Sequence, residues 1–314
     1  MHKESNYETA TGPIRYNLTN DFMFRATLQA NPHILKGLLG ALLHISPDDI
    51  EDISIENPIL LGESFKDKKY ILDILVKVNQ KSLINLEMQI VNKHDWSERS
   101  LLYLCRVYSN LETGDEYIEV LPATHIGFTD FTVTPDNPQF YSTYKLMDTK
   151  NHQLFSDKFT LCVVDLTQIN LATDEDKAYQ IDRWAKLFKA NTWEELRMLA
   201  NGNEYMEEIS NSLFTCNMDP KICKQCQDWE FEQKLRKMDE RYKERLKLDI
   251  IKLEDDKAKL EANNAQLTAN NAQLTANNDK LAVDITQLAD ENARLRAQLE
   301  ALLKSSSTNQ NTTS

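Results

Sequence analysis

The stretch that decides the fold is Lys69-Tyr-Ile-Leu-Asp73-Ile-Leu-Val-Lys-Val78, followed across Asn79-Gln-Lys-Ser82 by Leu83-Ile-Asn-Leu-Glu87-Met-Gln89-Ile-Val91. Both runs read as strands, and the polar segment between them is short enough to close a hairpin. In the second run Asn85, Glu87 and Gln89 share one face while Ile84, Leu86, Met88 and Ile90 take the other, because successive strand side chains alternate. Ionised groups inside strands this apolar are costly unless paired or bound to a cation. Asp73 and Glu87, converging from adjacent strands, are the oxygen donors that a hard divalent ion such as Mg²⁺ needs, with waters and a phosphate oxygen completing its octahedron.

Working outward, Pro58-Ile-Leu-Leu61 reads as a third strand before this pair. Upstream, Phe22, Met23 and Leu28, then Ile34, Leu35, Leu38, Leu39 and Leu42, recur at helical spacing with a break at Pro32. That predicts two short helices on the sheet, the first capped by Asn20 or Asp21. Downstream, a helix is expected from Asp95 to about Glu112, ending at Gly114. Thr124–Thr129 and Phe159–Val164 read as further strands. The block Asp174–Ile209 is helical, with Trp184, Leu187, Phe188, Trp193, Leu196 and Leu199 as its buried stripe. The expected class is α/β: a mixed sheet flanked by helices, followed by a long C-terminal coiled-coil helix.

From Leu246, leucine returns at 253, 260, 267, 274, 281, 288, 295 and 302. A strict seven-residue repeat this long calls for a supercoil to keep its stripe facing a partner. With leucine at d, the a positions are Ile250, Lys257, Asn264, Asn271, Asn278, Ile285, Asn292 and Leu299. Paired asparagines at a favour a parallel dimer. The alternative is one extended helix that pairs weakly, since each Asn at a costs stability. The expected organisation is a flexible lead-in over 1–19, an α/β domain with a helical C-terminal part over 20–227, the helix and coiled coil over 228–303, and a disordered tail over 304–314.

Composition narrows the class. No run approaches the ~20 apolar residues that span a bilayer, and the first residues lack a signal-peptide pattern, so a cytoplasmic protein with no membrane partner is expected. Cys105, Cys162, Cys216, Cys223 and Cys226 form no disulfide framework. One Cys-x-x-Cys with neither a fourth Cys nor a nearby His gives no usual zinc set. Neither a Walker A nor a dinucleotide fingerprint is present. A net charge of −13 argues against non-specific coating of DNA, but not against an acidic site bridged to DNA by a divalent cation.

Asp73 followed by Glu87-x-Gln89 on consecutive strands resembles the PD-(D/E)XK nuclease superfamily, in its transposase-like, recombination-promoting branch. Asn20-Asp-Phe-Met-Phe24 is similar to the branch's opening helix motif. Arg99-x-x-x-Tyr103 with Tyr108 and Gly114-x-x-Tyr117 resembles its helix after the Glu-x-Gln strand, and Asp182-x-Trp184 to Phe188 its later Trp-containing helix. The resemblance covers about Leu18 to Asn201 and implies a restriction-endonuclease-like fold for the sheet and a PD-(D/E)XK nuclease-like domain over 20–227. It implies Mg²⁺-dependent endonucleolytic cleavage of DNA, linked to recombination or mobile elements, with Asp73 and Glu87 as metal ligands, Gln89 as third catalytic residue and Mn²⁺ as a substitute ion. Gln89 stands where the wider superfamily has lysine: its amide orients water by hydrogen bonds but carries no positive charge.

Supporting positions remain open. Asp21 is either an acidic member from the first helix or an ordinary helix cap. Arg99, Tyr103 and Arg106 share a helix face and either hold a phosphate or support Glu87, or form the solvated edge of a docked helix. Two functions follow: a dimeric metal-dependent DNA endonuclease, or a non-catalytic nuclease-like module that binds DNA or protein and is assembled by the coiled coil.

Overall fold

Asn79 and Gln80 both adopt positive φ, 49° and 54°, and turn the chain between two antiparallel strands. Asn tolerates this conformation well. Its side chain is also used: Asn79 Oδ1 accepts from the Glu51 and Asp52 amides at 2.9 and 3.0 Å. The strands so joined are β2 (Ile74–Val78) and β3 (Ser82–Gln89). Around them, in chain order, stand α1 (Asp21–Ala30), α2 (His33–Leu43) and β1 (Ile53–Ile55) before the hairpin, and α3 (Trp96–Tyr108), β4 (Ala123–Thr129), β5 (Tyr141–Lys145) and β6 (Phe159–Asp165) after it. Then come α4 (Asp174–Ala178), α5 (Ile181–Lys189), α6 (Trp193–Ala200), α7 (Glu204–Met218) and α8 (Pro220–Gln310). This computed structural model describes residues 7–56, 73–111 and 114–310, with side chains to residue 304. The expected strand Pro58–Leu61 and the first residues of Lys69–Val78 lie outside the described residues.

The six strands run β1-β2-β3-β4-β6-β5. β1, β2 and β3 are antiparallel neighbours, β3, β4 and β6 are parallel, and β5 returns antiparallel on the edge. The parallel step from β3 to β4 requires a crossover, and α3 supplies it. This is the mixed sheet flanked by helices that the sequence predicts.

One face of the sheet carries the main core. Leu86 and Met88 of β3 and Ile126 and Phe128 of β4 join Phe22, Phe24 and Leu28 of α1, Leu35 and Leu38 of α2, and Trp184 and Phe188 of α5. Phe24, Phe128 and Phe188 meet edge to face at 5.1 to 5.7 Å, the arrangement their ring quadrupoles favour, and so fix α1 on the sheet. The opposite face has a smaller apolar cluster of Leu83, Leu104, Val107 and Ala123, where the C-terminal half of α3 docks. Its N-terminal half covers polar residues instead.

Several details differ from the sequence reading. The lead-in is packed from Tyr7 onward: Tyr7, Ile14, Tyr16 and Leu18 are buried, and the Tyr16 amide donates to Asn217 at 3.1 Å. These widely spaced apolar residues form no periodic pattern, yet all four join the main core. The block Asp174–Ile209 is four helices, broken at the left-handed Gln180, at residues 190–192 and at Gly202, φ 77°. α3 ends at Tyr108, before the expected Glu112.

The chain divides into two compact units, Met1–Gln233 and Lys234–Ser314. In the second, α8 is a single helix whose heptad leucines are solvent-exposed, from Leu253 at 67% to Leu302 at 68%. Its helical backbone reaches Gln310, into the Ser/Thr/Asn-rich stretch expected to lack order. Among the described residues no helix is long and apolar enough to cross a membrane.

Candidate active site

The hairpin register pairs Ile74 with Leu86, which places Asp73, one residue earlier, beside Glu87. Asp73 immediately precedes β2, and its Oδ2 accepts the Met88 amide at 3.1 Å. Strand alternation puts Asn85, Glu87 and Gln89 on the face beneath α3. The parallel register with β4 adds His125, Gly127 and Thr129 beside them. Asn85, Glu87, His125 and Thr129 are wholly buried, and Asp73 and Gln89 nearly so. A polar patch this deep needs partners, and two arginines supply many of them.

Arg99, in the first turns of α3, forks across β3. Nη2 donates to Glu87 Oε1, and Nη1 donates to Gln89 Oε1 at 2.6 Å. The guanidinium lies over the Tyr103 ring, 5.3 Å from its centroid, a cation–π contact. Gln89 is held at its other end too, Nε2 donating to the Val91 carbonyl at 2.6 Å. Arg25, buried within α1, reaches Asp21 at 3.2 Å and Asp73 at 3.8 Å.

Asp21 is freed for this role because the cap falls to its neighbour: Asn20 Oδ1 accepts the Met23 amide at 3.0 Å. The structure therefore gathers Asp21, Asp73, Glu87, Gln89, Arg99 and Tyr103. Arg106, two turns beyond Arg99 and so about 10 Å further along the helix axis, is exposed at the last turn of α3.

Burial dominates the electrostatics. It pushes the Asp73 carboxyl well above the usual carboxylate range; the Asp21 charge adds to the shift and Arg25 opposes it. Burial likewise pushes Glu87 up to about 7, against the pull of Arg99. Both carboxyls hold protons more tightly than a free carboxylate, as expected of acids in low dielectric near another acid. His125 moves the other way: burial, then the Arg99 charge, lowers it to about 3, so its imidazole is neutral. Its Nδ1 is joined to Asn85 Nδ2 at 2.8 Å.

Sequence reasoning missed three contributors. Arg25 is signalled by an i, i+4 pair with Asp21 inside the otherwise apolar Phe22-Met-Phe-Arg25-Ala-Thr-Leu28. His125 is signalled only by being an ionisable residue inside a strand. Trp96 had no signal: it stands on Gly127, where an added Cβ would come within 2.2 Å of the indole. Glycine is thus what lets α3 approach β4.

The donor set suits a hard cation. Asp21, Asp73 and Glu87 offer carboxylate oxygens, and Asp21 Oδ1 and Glu87 Oε2 are buried without a hydrogen-bond partner. Magnesium takes one or two carboxylates and keeps several waters. Among the described residues no three His, Cys, Asp or Glu side chains are already drawn together as a metal cluster; guanidinium groups stand against the carboxylates instead. The Cys216, Cys223 and Cys226 thiols are buried on α7 and α8.

In a comparison with known families, the model for PD-(D/E)XK nuclease family transposases matches residues 18–243. Neither the curated proteins nor the solved structures give a match.

Proposed function

The chain belongs to the PD-(D/E)XK nuclease family transposases, and on that premise we propose that it is a Mg²⁺-dependent DNA endonuclease serving recombination or mobile elements. The observation that carries the proposal is the pairing of two buried carboxyls, Asp73 and Glu87, by the β2–β3 register, with Glu87 Oε2 left without a partner. Asp73 and Glu87 are the residues that would hold the ion, Mn²⁺ substituting for Mg²⁺. Bound there, it would activate water and neutralise charge on the phosphoryl group.

The remaining roles belong to side chains. Gln89, fixed by Arg99 and Val91, presents an amide beside Glu87 and orients the attacking water by hydrogen bonding. Arg99 supplies the positive charge that Gln89 lacks. Arg25 holds Asp21 and Asp73 against mutual repulsion. The leucine stripe of α8 pairs with that of a second copy as a parallel coiled coil, bringing two single-strand-cutting centres to one duplex.

Supercoiled plasmid incubated with the protein and Mg²⁺ tests this reading. The expected result is nicked and linear product, abolished by chelator and reduced at least about a hundredfold by Asp73→Ala or Glu87→Ala, as for loss of a principal catalytic group. Equal cleavage by the variants sinks the site assignment. A second reading, a non-catalytic module that binds DNA or protein, is favoured by one observation: Gln89 carries no charge and both ends of its amide are engaged. Tight DNA binding with no cleavage by the wild type in Mg²⁺ or Mn²⁺ would select it.

A further inference from the structure

Arg99 holds Glu87 Oε1, the oxygen next to the unpartnered Oε2 that the proposed cation would take. Its guanidinium spans Glu87 and Gln89, yet its Nε is buried without a hydrogen-bond partner. The same is true of Glu87 Oε2, Asn85 Oδ1, His125 Nε2, Thr129 Oγ1 and Trp96 Nε1. All lie on α3 or on the facing positions of β3 and β4. Native interiors hold few such atoms, and each one left unmade is costly. Their concentration under one helix marks a seat whose polar groups are not all satisfied in this arrangement.

We propose that Arg99 is a tethered cation competing with the divalent metal for Glu87. It holds Glu87 and Gln89 together in the metal-free protein, gives up Glu87 when metal loads, and turns its guanidinium to a phosphate of the DNA. This rests on the metal-dependent reading above. A metal on Oε2 and the guanidinium on Oε1 of one buried carboxylate would repel strongly in low dielectric, which favours release of the one that can move. Arg99 has a way out, since 26% of its side chain is solvent-exposed, while Glu87 has none. Arg25 is only 6% exposed and bridges two carboxylates, which makes it the fixed counter-ion of the site. A guanidinium released at this point suits a phosphate, which it can grip with two parallel donors.

The competing possibility, that Arg99 is a permanent clamp on Glu87, predicts the opposite sign for metal affinity. Calorimetric titration of the full chain with Mn²⁺ alone decides between them. In Arg99→Gln, which keeps an amide but no charge, Mn²⁺ should bind roughly tenfold more tightly or better, the effect of removing one charge-assisted hydrogen bond. Plasmid cleavage by the same variant should fall by at least as much. Unchanged or weaker Mn²⁺ binding in folded Arg99→Gln overturns the proposal while leaving the metal-dependent reading intact. Wild-type binding that survives in Asp73→Ala and Glu87→Gln removes that reading and the proposal with it. Should Arg99→Gln not fold, wild-type protein labelled with ¹⁵N-arginine gives the same answer: the Arg99 Nε resonance is expected to move as Mg²⁺ saturates the site, and an unmoved resonance overturns the proposal.

Discussion

At the scale of single residues, Glu87 and His125 set opposite limits on stability. Glu87 titrates at about 7 in the folded chain, above its ordinary value near 4.5. A raised carboxyl favours the folded state fully below the unfolded value, and that contribution is lost as pH rises through 7. His125 is lowered from 6.5 to about 3. Its contribution is complete above 6.5 and is lost as pH falls toward 3. The two overlap between about 4.5 and 6.5, where their opposite slopes largely cancel. Relative to wild type, Glu87→Gln, which mimics the protonated acid, should gain on the order of 3 kcal/mol as pH rises from 4 to 8, and His125→Asn should gain a similar amount as pH falls from 7 to 4. Urea denaturation from pH 4 to pH 9 measures both; a difference between Glu87→Gln and wild type that does not change with pH would mean that Glu87 is not buried as described.

At the scale of elements, the site depends on α3 sitting close to β4, and Gly127 permits that approach. Gly127→Ala puts a methyl into the Trp96 ring, so the indole must move and carry the first turn of α3 with it. Overpacking of this kind costs typically about 1 to 3 kcal/mol. Because Arg99 lies less than one turn beyond Trp96, cleavage should fall by more than the stability loss explains. Thermal unfolding and tryptophan emission read the packing, and plasmid cleavage reads the site; wild-type values for all three would show that the contact is dispensable.

Much of this arrangement was legible in the sequence. The β2–β3 hairpin and the shared face of Asn85, Glu87 and Gln89 follow from a period of two. The helices on either side of Pro32 follow from a period of 3.6. β1 and β5 were not legible, because a three-residue strand has no measurable period and Tyr141–Lys145 is a largely exposed edge without alternation. Trp96 was hidden for another reason, since only the fold brings it to Gly127, and of the Arg25 contacts only the one with Asp21 is local, Asp73 being brought to it by the fold.

At the scale of the whole molecule, a net charge of −13 means that affinity for DNA cannot come from a generally basic surface. On the proposed function, engagement would be local, through the cation and arginines of the site and through the presence of two sites at once. The proposed pairing of the α8 heptads would supply the second. In that parallel pair Ile250, Ile285 and Leu299 would anchor the register, while Asn264, Asn271 and Asn278 would weaken the seam. Deleting Leu253 to Ser314 should yield a monomer by light scattering and shift plasmid products from linear toward nicked. A truncated monomer that still linearises plasmid at the full rate would show that pairing is dispensable.

The central claim is that Asp73 and Glu87 together hold a divalent cation, and anomalous diffraction from crystals soaked in Mn²⁺ tests it most directly. The account predicts one strong anomalous peak between the two carboxylates in the wild type and none in Glu87→Gln. No peak at Asp73 and Glu87, with Mn²⁺ bound elsewhere or nowhere on the chain, would contradict it.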